Sequence, residues 1–199
     1  MGIEDGLWTR SRGAAYAEIT RVAMELFLDQ GFARTTIDQI AEAAGISRRS
    51  FFRYFGTKED VVLGDLAVQG ELVRDALEAI PLTVPPWEAL QEALWKVDGL
   101  VGDDETMLKI ATMMYETPSL RARSIEKHLA WQELLVPNIR RRLGGDPHAA
   151  DGASAEVAAD ALVASAIACL DAAGAVWARN DGSPDLRTLY RRAVDSVRT

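Results

Sequence analysis

The 199-residue sequence predicts an all-α protein of about nine helices. Two observations carry this. Apolar residues recur at helical spacing along the chain, and no alternating run of strand length interrupts them. Glycine, proline and capping residues then cut that pattern into helix-sized pieces. Hydrophobic residues make up 48% of the chain, enough for a true core.

The first helix is marked by Ile19, Val22, Ala23, Leu26 and Phe27, and Gly31 stops it. Thr36-Ile37-Asp38-Gln39 fits a capping box opening a second helix, which runs through Ala44 and buries Ile37, Ile40 and Ala41. Gly45 breaks it, and Ser47 caps a third helix over Arg48–Phe55. After Gly56, Thr57-Lys58-Glu59-Asp60 opens a fourth, expected to continue through Val62, Leu66 and Val73 toward Ile80. Pro81, Pro85 and Pro86 make the clearest linker.

Trp87–Val101 is amphipathic, and Gly102-Asp103-Asp104 separates it from a Met-rich helix over Glu105–Glu116. A long helix follows over Ser119–Leu143, with Pro137 inside it as an expected kink. Gly144-Gly145-Asp146-Pro147 ends that helix. An Ala-rich helix spans Ser154–Arg179, and Ser183-Pro184 is expected to cap the last one, marked by Leu186, Leu189, Tyr190, Ala193, Val194 and Val197. The apolar run Ala161–Ala178 carries Asp171 in its interior. It reads as a buried helix and not a membrane span.

Net charge is -8, but it is unevenly spread. Residues 1–60 hold 8 Lys/Arg against 9 Asp/Glu, whereas residues 61–199 hold 14 against 21. Ser47–Lys58 carries Arg48, Arg49, Arg53 and Lys58 with no acid, a local +4. Phosphate contact depends on the patch that touches, so a local surplus outweighs the average. The single cysteine, Cys169, excludes an intramolecular disulfide and fits a reducing cytoplasm. No apolar leader segment is visible in the first residues.

Two short helices joined through Gly45 match a helix-turn-helix, whose second helix enters the major groove and reads base edges with its N-terminal residues. Phe51 and Phe55 share one face and, with Ile46, are expected to pack inward. That leaves Arg48, Arg49, Ser50, Phe52, Arg53 and Tyr54 outside. Arginine can grip guanine O6 and N7 with two hydrogen bonds. Tyr54 can meet a phosphate, and Lys58 and the Thr36 helix start are expected near the backbone. Composition alone allows a plain solvated face; the helix boundaries and the outward Phe52 favour a DNA-reading one.

"ARTTIDQIAEAAGISRRSFFRYFGTKEDVV", Ala33 to Val62, resembles the DNA-binding domain of TetR-family transcriptional regulators, and the likeness runs from Ala15 to about Val62. It implies a homodimer on a palindromic operator of double-stranded DNA. It also implies a helix-turn-helix domain over residues 1–60 and a helical ligand-binding and dimerisation domain over 61–199, with ligand releasing DNA. Thr36, Arg48, Arg49, Ser50, Phe52, Arg53, Tyr54 and Lys58 fall on the family's DNA-contact positions. Phe52 departs from the usual tyrosine and has no hydroxyl for a phosphate.

In the second half, Met107, Ile110, Met113, Met114 and Tyr115 form one candidate wall of an apolar pocket, and Trp131, Leu134 and Leu135 another, with Trp95 and Cys169 as additions. Methionines at this spacing are also ordinary core. "ETPSLRARSIEKHLAWQELLVPNIRRRLG", Glu116 to Gly144, resembles TetR regulators with an acyl-CoA-like ligand-binding domain, including mycofactocin-system regulators. That suggests an acyl thioester or another small amphipathic effector, with Arg121, Arg123 and Lys127 either facing its phosphates or solvated. Ala158, Ala161, Ala164, Ser165, Ala168, Ala172 and Ala175 let helices approach closely; they fit an internal core helix or, as the resemblance implies, a four-helix dimer interface, and the two can hold on different faces.

The rival class, an all-α enzyme, finds little support. There is no metalloprotease, P-loop or nucleophile-elbow motif, no metal-ligand set and no cofactor fingerprint. His128 and His148 lie apart and read as surface residues. Asp160 and Asp171, eleven residues apart, are too distant for a carboxylate pair on one helix. An architectural DNA binder without effector is the other alternative; the Met- and Trp-containing second half is larger than dimerisation needs.

Overall fold

A computed structural model describes the backbone of residues 3–64, 66–98, 104–144 and 152–198, and the side chains of 13–64, 68–96, 105–144 and 154–198. The chain is all-α and divides into two compact units, Met1–Gly64 and Asp65–Thr199.

The first unit holds α1 (Ile3–Gln30), α2 (Ile37–Ala43), α3 (Arg48–Tyr54) and α4 (Glu59–Leu63). Ile19, Val22, Ala23 and Phe27 of α1 are buried, and Ile40, Ala41 and Phe51 of α2 and α3 join the buried set. The α2 capping box forms in full. Thr36 Oγ accepts the Gln39 N–H at 3.2 Å, and Gln39 Oε1 accepts the Thr36 N–H at 2.8 Å. Gly45, at φ 65°, ends α2: its N–H reaches Glu42 O and that of Ile46 reaches Ala41 O, the paired bonds of a Schellman motif. α4 opens on a reciprocal pair, with Asp60 accepting the Thr57 N–H at 2.9 Å and Thr57 Oγ accepting that of Asp60 at 3.2 Å.

One expectation is corrected here. The helix expected from Thr57 to Ile80 is two helices, because Gly64 sits at φ 70°, ψ -171°, a region that side chains other than glycine's disfavour. With that split, the nine expected helices become ten among the described residues.

The second unit holds α5 (Leu66–Glu78), α6 (Pro86–Asp98), α7 (Asp104–Glu116), α8 (Pro118–Arg142), α9 (Gly152–Arg179) and α10 (Leu186–Arg198). α9 packs against α6, α7, α8 and α10, and α5 against α6 and α8. Gly70 allows the close α5–α8 approach, since a Cβ there would lie 2.7 Å from Trp131 Cδ1. α8 begins with Pro118 at its first position and continues through Pro137. Val101, Gly102 and Asp103, and residues 145–151 with His148, lie outside the described residues.

One further expectation changes. α10 is capped by Asp185, not by Ser183-Pro184: the Asp185 carboxylate accepts the Thr188 N–H at 2.9 Å and its hydroxyl at 2.7 Å, and a carboxylate is a strong cap. α9 is buried on one face only. Ala159, Val163, Ala166, Ala173 and Trp177 turn inward, while Ala158, Ala161, Ala168, Ala172 and Val157 (68% exposed) turn outward. α9 is long and apolar enough to cross a membrane by composition, but its inner face is packed in the bundle.

Candidate nucleic-acid interface

α3 is anchored from behind. Phe51 and Phe55 are buried, their rings 5.5 Å apart, and Tyr16 of α1 stacks on Phe55 at 4.5 Å. Ser47 caps the helix by accepting the Ser50 N–H at 3.1 Å and donates to Ser50 Oγ at 3.0 Å, so Ser50 keeps its own hydroxyl proton. The opposite face carries Arg48, Arg49, Phe52 and Arg53 exposed, with Ser50 and Tyr54 half-buried at its edges. Phe52 is 46% exposed, unusual for so large a ring.

The cations on this face differ in what holds them. Arg49 and Arg53 form no ion pair with a described residue, and Arg53 lies 5.3 Å over the Tyr54 ring. Arg48 Nη1 donates to both oxygens of Asp38, and its guanidinium lies 5.8 Å over Phe52. Lys58, expected beside a DNA backbone, has an internal task. Its Nζ donates to Phe32 O at 2.8 Å and Thr35 O at 3.1 Å and rests 4.3 Å over the Phe32 ring. Two of its three N–H donors thus tie the α1–α2 loop to the start of α4, satisfying carbonyls that no helix uses. Thr36 is exposed, but Gln39 takes its hydroxyl proton at 3.1 Å.

In the second unit, Met107, Ile110, Met113, Met114 and Tyr115 all lie half-buried on α7. Trp131 and Leu135 are core, and Leu134 is half-buried. Trp95 meets Tyr190 edge-on at 5.3 Å and lies under Arg187 at 5.3 Å, so it serves the packing of α6 on α10. Cys169 is buried in the core; two residues from Asp171, it faces about 200° away around the helix. Burial holds its thiol above the ordinary range.

The α7 wall meets a polar cluster that spacing did not disclose. Asp171 accepts from both Nη atoms of Arg121, and Tyr115 Oη donates to the Asp171 carbonyl at 2.8 Å. Arg121 is therefore paired across the fold and only partly solvated. Burial opposes the Asp171 charge, but the Arg121 hydrogen bonds outweigh it and hold the carboxyl below the usual range. His128, two turns along the same face of α8 from Arg121, is no surface residue: burial pushes its imidazole down to about 4.

Residues 19–64 match the family of bacterial regulatory proteins, tetR family, and residues 84–199 match the MftR C-terminal domain. The chain belongs to the TetR family. Its relatives include MftR of Mycobacterium tuberculosis, named as a mycofactocin biosynthesis transcriptional regulator, at 33% identity over 68% of this chain and 69% of that protein. The HTH-type transcriptional regulator TcmR of Streptomyces glaucescens is 35% identical over 71% of this chain and 66% of that one. A FadR regulator from Bacillus subtilis, solved with stearoyl-CoA, shares the fold at TM-score 0.60 and 18% identity, covering 90% of this chain and 96% of that one. This TetR-family protein is a transcriptional regulator with a helix-turn-helix DNA-binding domain.

Sequence reasoning missed three functional-looking groups in this TetR chain. Asp171 had a signal, as the one acid inside the apolar run Ala161–Ala178. Asp38 and His128 had none, because their partners are set by tertiary packing.

Proposed function

We propose that the protein is a ligand-responsive transcriptional repressor that binds a palindromic operator as a homodimer. A small amphipathic or acyl-type ligand, of the acyl-CoA class, fills the second unit and releases the DNA. The observation that carries this reading is α3: a helix anchored by buried Phe51 and Phe55 that turns arginines and an exposed ring outward. Arg48, Arg49, Ser50, Phe52, Arg53 and Tyr54 contact DNA, with Thr36 and Lys58 at the margin. Two such helices, one per protomer, read successive major-groove faces ~34–36 Å apart.

The outward small side chains of α9, beside α10, support a four-helix dimer interface. The half-buried methionines of α7, with Tyr115, Trp131 and Leu135, support an adaptable apolar lining. The FadR neighbour solved with stearoyl-CoA supports an acyl thioester as the ligand class. Ligand acts by favouring a dimer whose recognition helices no longer match the operator spacing, and ~1–3 kcal/mol of coupling suffices. The protein works in the cytoplasm, without a membrane, a cofactor or an enzymatic step of its own.

The test is fluorescence anisotropy on duplexes tiling the intergenic DNA upstream of its own gene, with and without long-chain acyl-CoA. Nanomolar, salt-sensitive binding that acyl-CoA weakens about tenfold or more supports the reading. Binding no tighter than to shuffled duplex of the same composition contradicts it.

A further inference from the structure

We propose that Arg48 is the guanine-reading side chain of α3, and that Asp38 on α2 and Phe52 on α3 hold its guanidinium in the reading position. The inference rests on α3 being the DNA-contacting helix and deepens that reading.

Arg48 is the first residue of α3, the end of a recognition helix that faces base edges. Asp38 meets it from ten residues earlier, Oδ1 at 3.1 Å and Oδ2 at 2.9 Å, and both oxygens take the same nitrogen, Nη1. The Nε and Nη2 edge, two parallel N–H groups, takes no hydrogen bond to a described residue. That fork can take guanine O6 and N7 with two parallel hydrogen bonds. One turn further along α3, the Phe52 ring lies 5.8 Å from the Arg48 guanidinium carbon. Phe52 is itself seated edge-on against buried Phe51, rings 5.7 Å apart at 87°. The guanidinium is thus held at Nη1 by a carboxylate and on one face by a ring, on a side chain that stays 61% exposed.

The arrangement is hard to explain as a stability device. The two side chains are 61% and 66% exposed, and exposed ion pairs contribute little. An acid on a phosphate-facing surface also weakens binding to any DNA. Both properties suit a specificity device: Asp38 penalises unspecific contact and reduces the ordering that Arg48 must undergo when it meets the right base. Phe52 gains a role that needs no hydroxyl.

The test uses the full-length protein and a randomised duplex library. Wild type selects its preferred site, and anisotropy then compares wild type, Asp38→Ala, Asp38→Asn and Arg48→Ala on that duplex, on single-base variants and on a shuffled duplex. The selected half-site contains a guanine whose replacement is discriminated by wild type and not by Arg48→Ala. Asp38→Ala binds shuffled duplex at least as tightly as wild type but loses about tenfold of the discrimination at that guanine. Asp38→Asn, whose amide oxygen still accepts from Nη1, keeps most of the discrimination while losing the charge. Guanine preference unchanged in Asp38→Ala, or lost equally in Asp38→Asn, overturns the proposal. A wild type that selects no site overturns the DNA-reading premise instead.

Discussion

Arg121 of α8 holds the carboxylate of Asp171, fifty residues later in α9, through both terminal guanidinium nitrogens. The two side chains are 32% and 20% exposed, so the pair is partly withdrawn from water. Removing one member leaves the other charge poorly solvated, whereas removing both leaves an apolar contact. Arg121→Ala and Asp171→Ala are each expected to lower unfolding free energy by about 2 kcal/mol, and Arg121→Met with Asp171→Leu to recover most of it. Urea unfolding at one fixed protein concentration measures this; equal additive losses in the double variant contradict it.

His128 gives a pH signature. It lies on α8 with Lys127, Arg121 and Asp171 around it and the Trp131 ring 6.3 Å away. Its imidazole is down at about 4 in the folded state against about 6.5 unfolded, chiefly through burial. Between those values the unfolded chain binds a proton that the folded chain refuses. Stability is therefore full above about pH 6.5 and falls as pH drops toward 4. Melting temperatures of His128→Gln should decline less than wild type over that window. Parallel curves would show that His128 does not titrate this way. The Asp171 contribution, held low by Arg121, is lost at still lower pH.

Arg142 closes the end of α5 with all five donors. Nε donates to Asn138 Oδ1 at 2.7 Å, Nη1 to Pro81 O and Val84 O, and Nη2 to Leu77 O and Ile80 O. The Leu77 carbonyl lies in the last turn of α5 and those of Ile80, Pro81 and Val84 follow it, where the regular i+4 ladder has run out. Burial lowers the Arg142 charge preference, but the planar fork serves both sides. Arg142→Lys is expected to lose nearly as much as Arg142→Ala, about 2–3 kcal/mol, because an ammonium spans only part of this set. Near-complete rescue by lysine in thermal melts would refute it.

Gly70 sets two effects against each other. Alanine in a helix interior gains about 1 kcal/mol over glycine. Here the added Cβ would meet Trp131 Cδ1 at 2.7 Å and Nε1 at 2.8 Å, and Trp131 is buried. Overpacking costs about 1–3 kcal/mol, so Gly70→Ala should be net destabilising. Calorimetry decides it; a raised melting temperature would mean that α5 and α8 separate freely.

The fold was legible because helical spacing, the Thr36–Gln39 capping box and the Gly45 turn are local signals that all agree. The Gly64 break was missed because one glycine inside an apolar pattern reads as tolerated, and only its backbone angles mark the end of α4. The Asp185 cap was missed for a similar reason, since Ser183-Pro184 offered a nearby competing signal. On α3, the division into buried Phe51 and Phe55 and an outward Arg48, Arg49, Phe52 and Arg53 follows from spacing. The partners of Arg48, Lys58 and Arg121 do not, because each is reached across the fold from another element.

The central claim is that the outward face of α3 binds DNA. The most direct measurement is the affinity of Arg49→Ala with Arg53→Ala for the upstream intergenic duplex, beside wild type, in the same salt. Both side chains are exposed, so the fold should survive, and circular dichroism checks that. The account predicts a loss of about a hundredfold, from two charge-assisted arginine contacts worth about 1.5 kcal/mol each. Unchanged affinity in a folded double variant would contradict it.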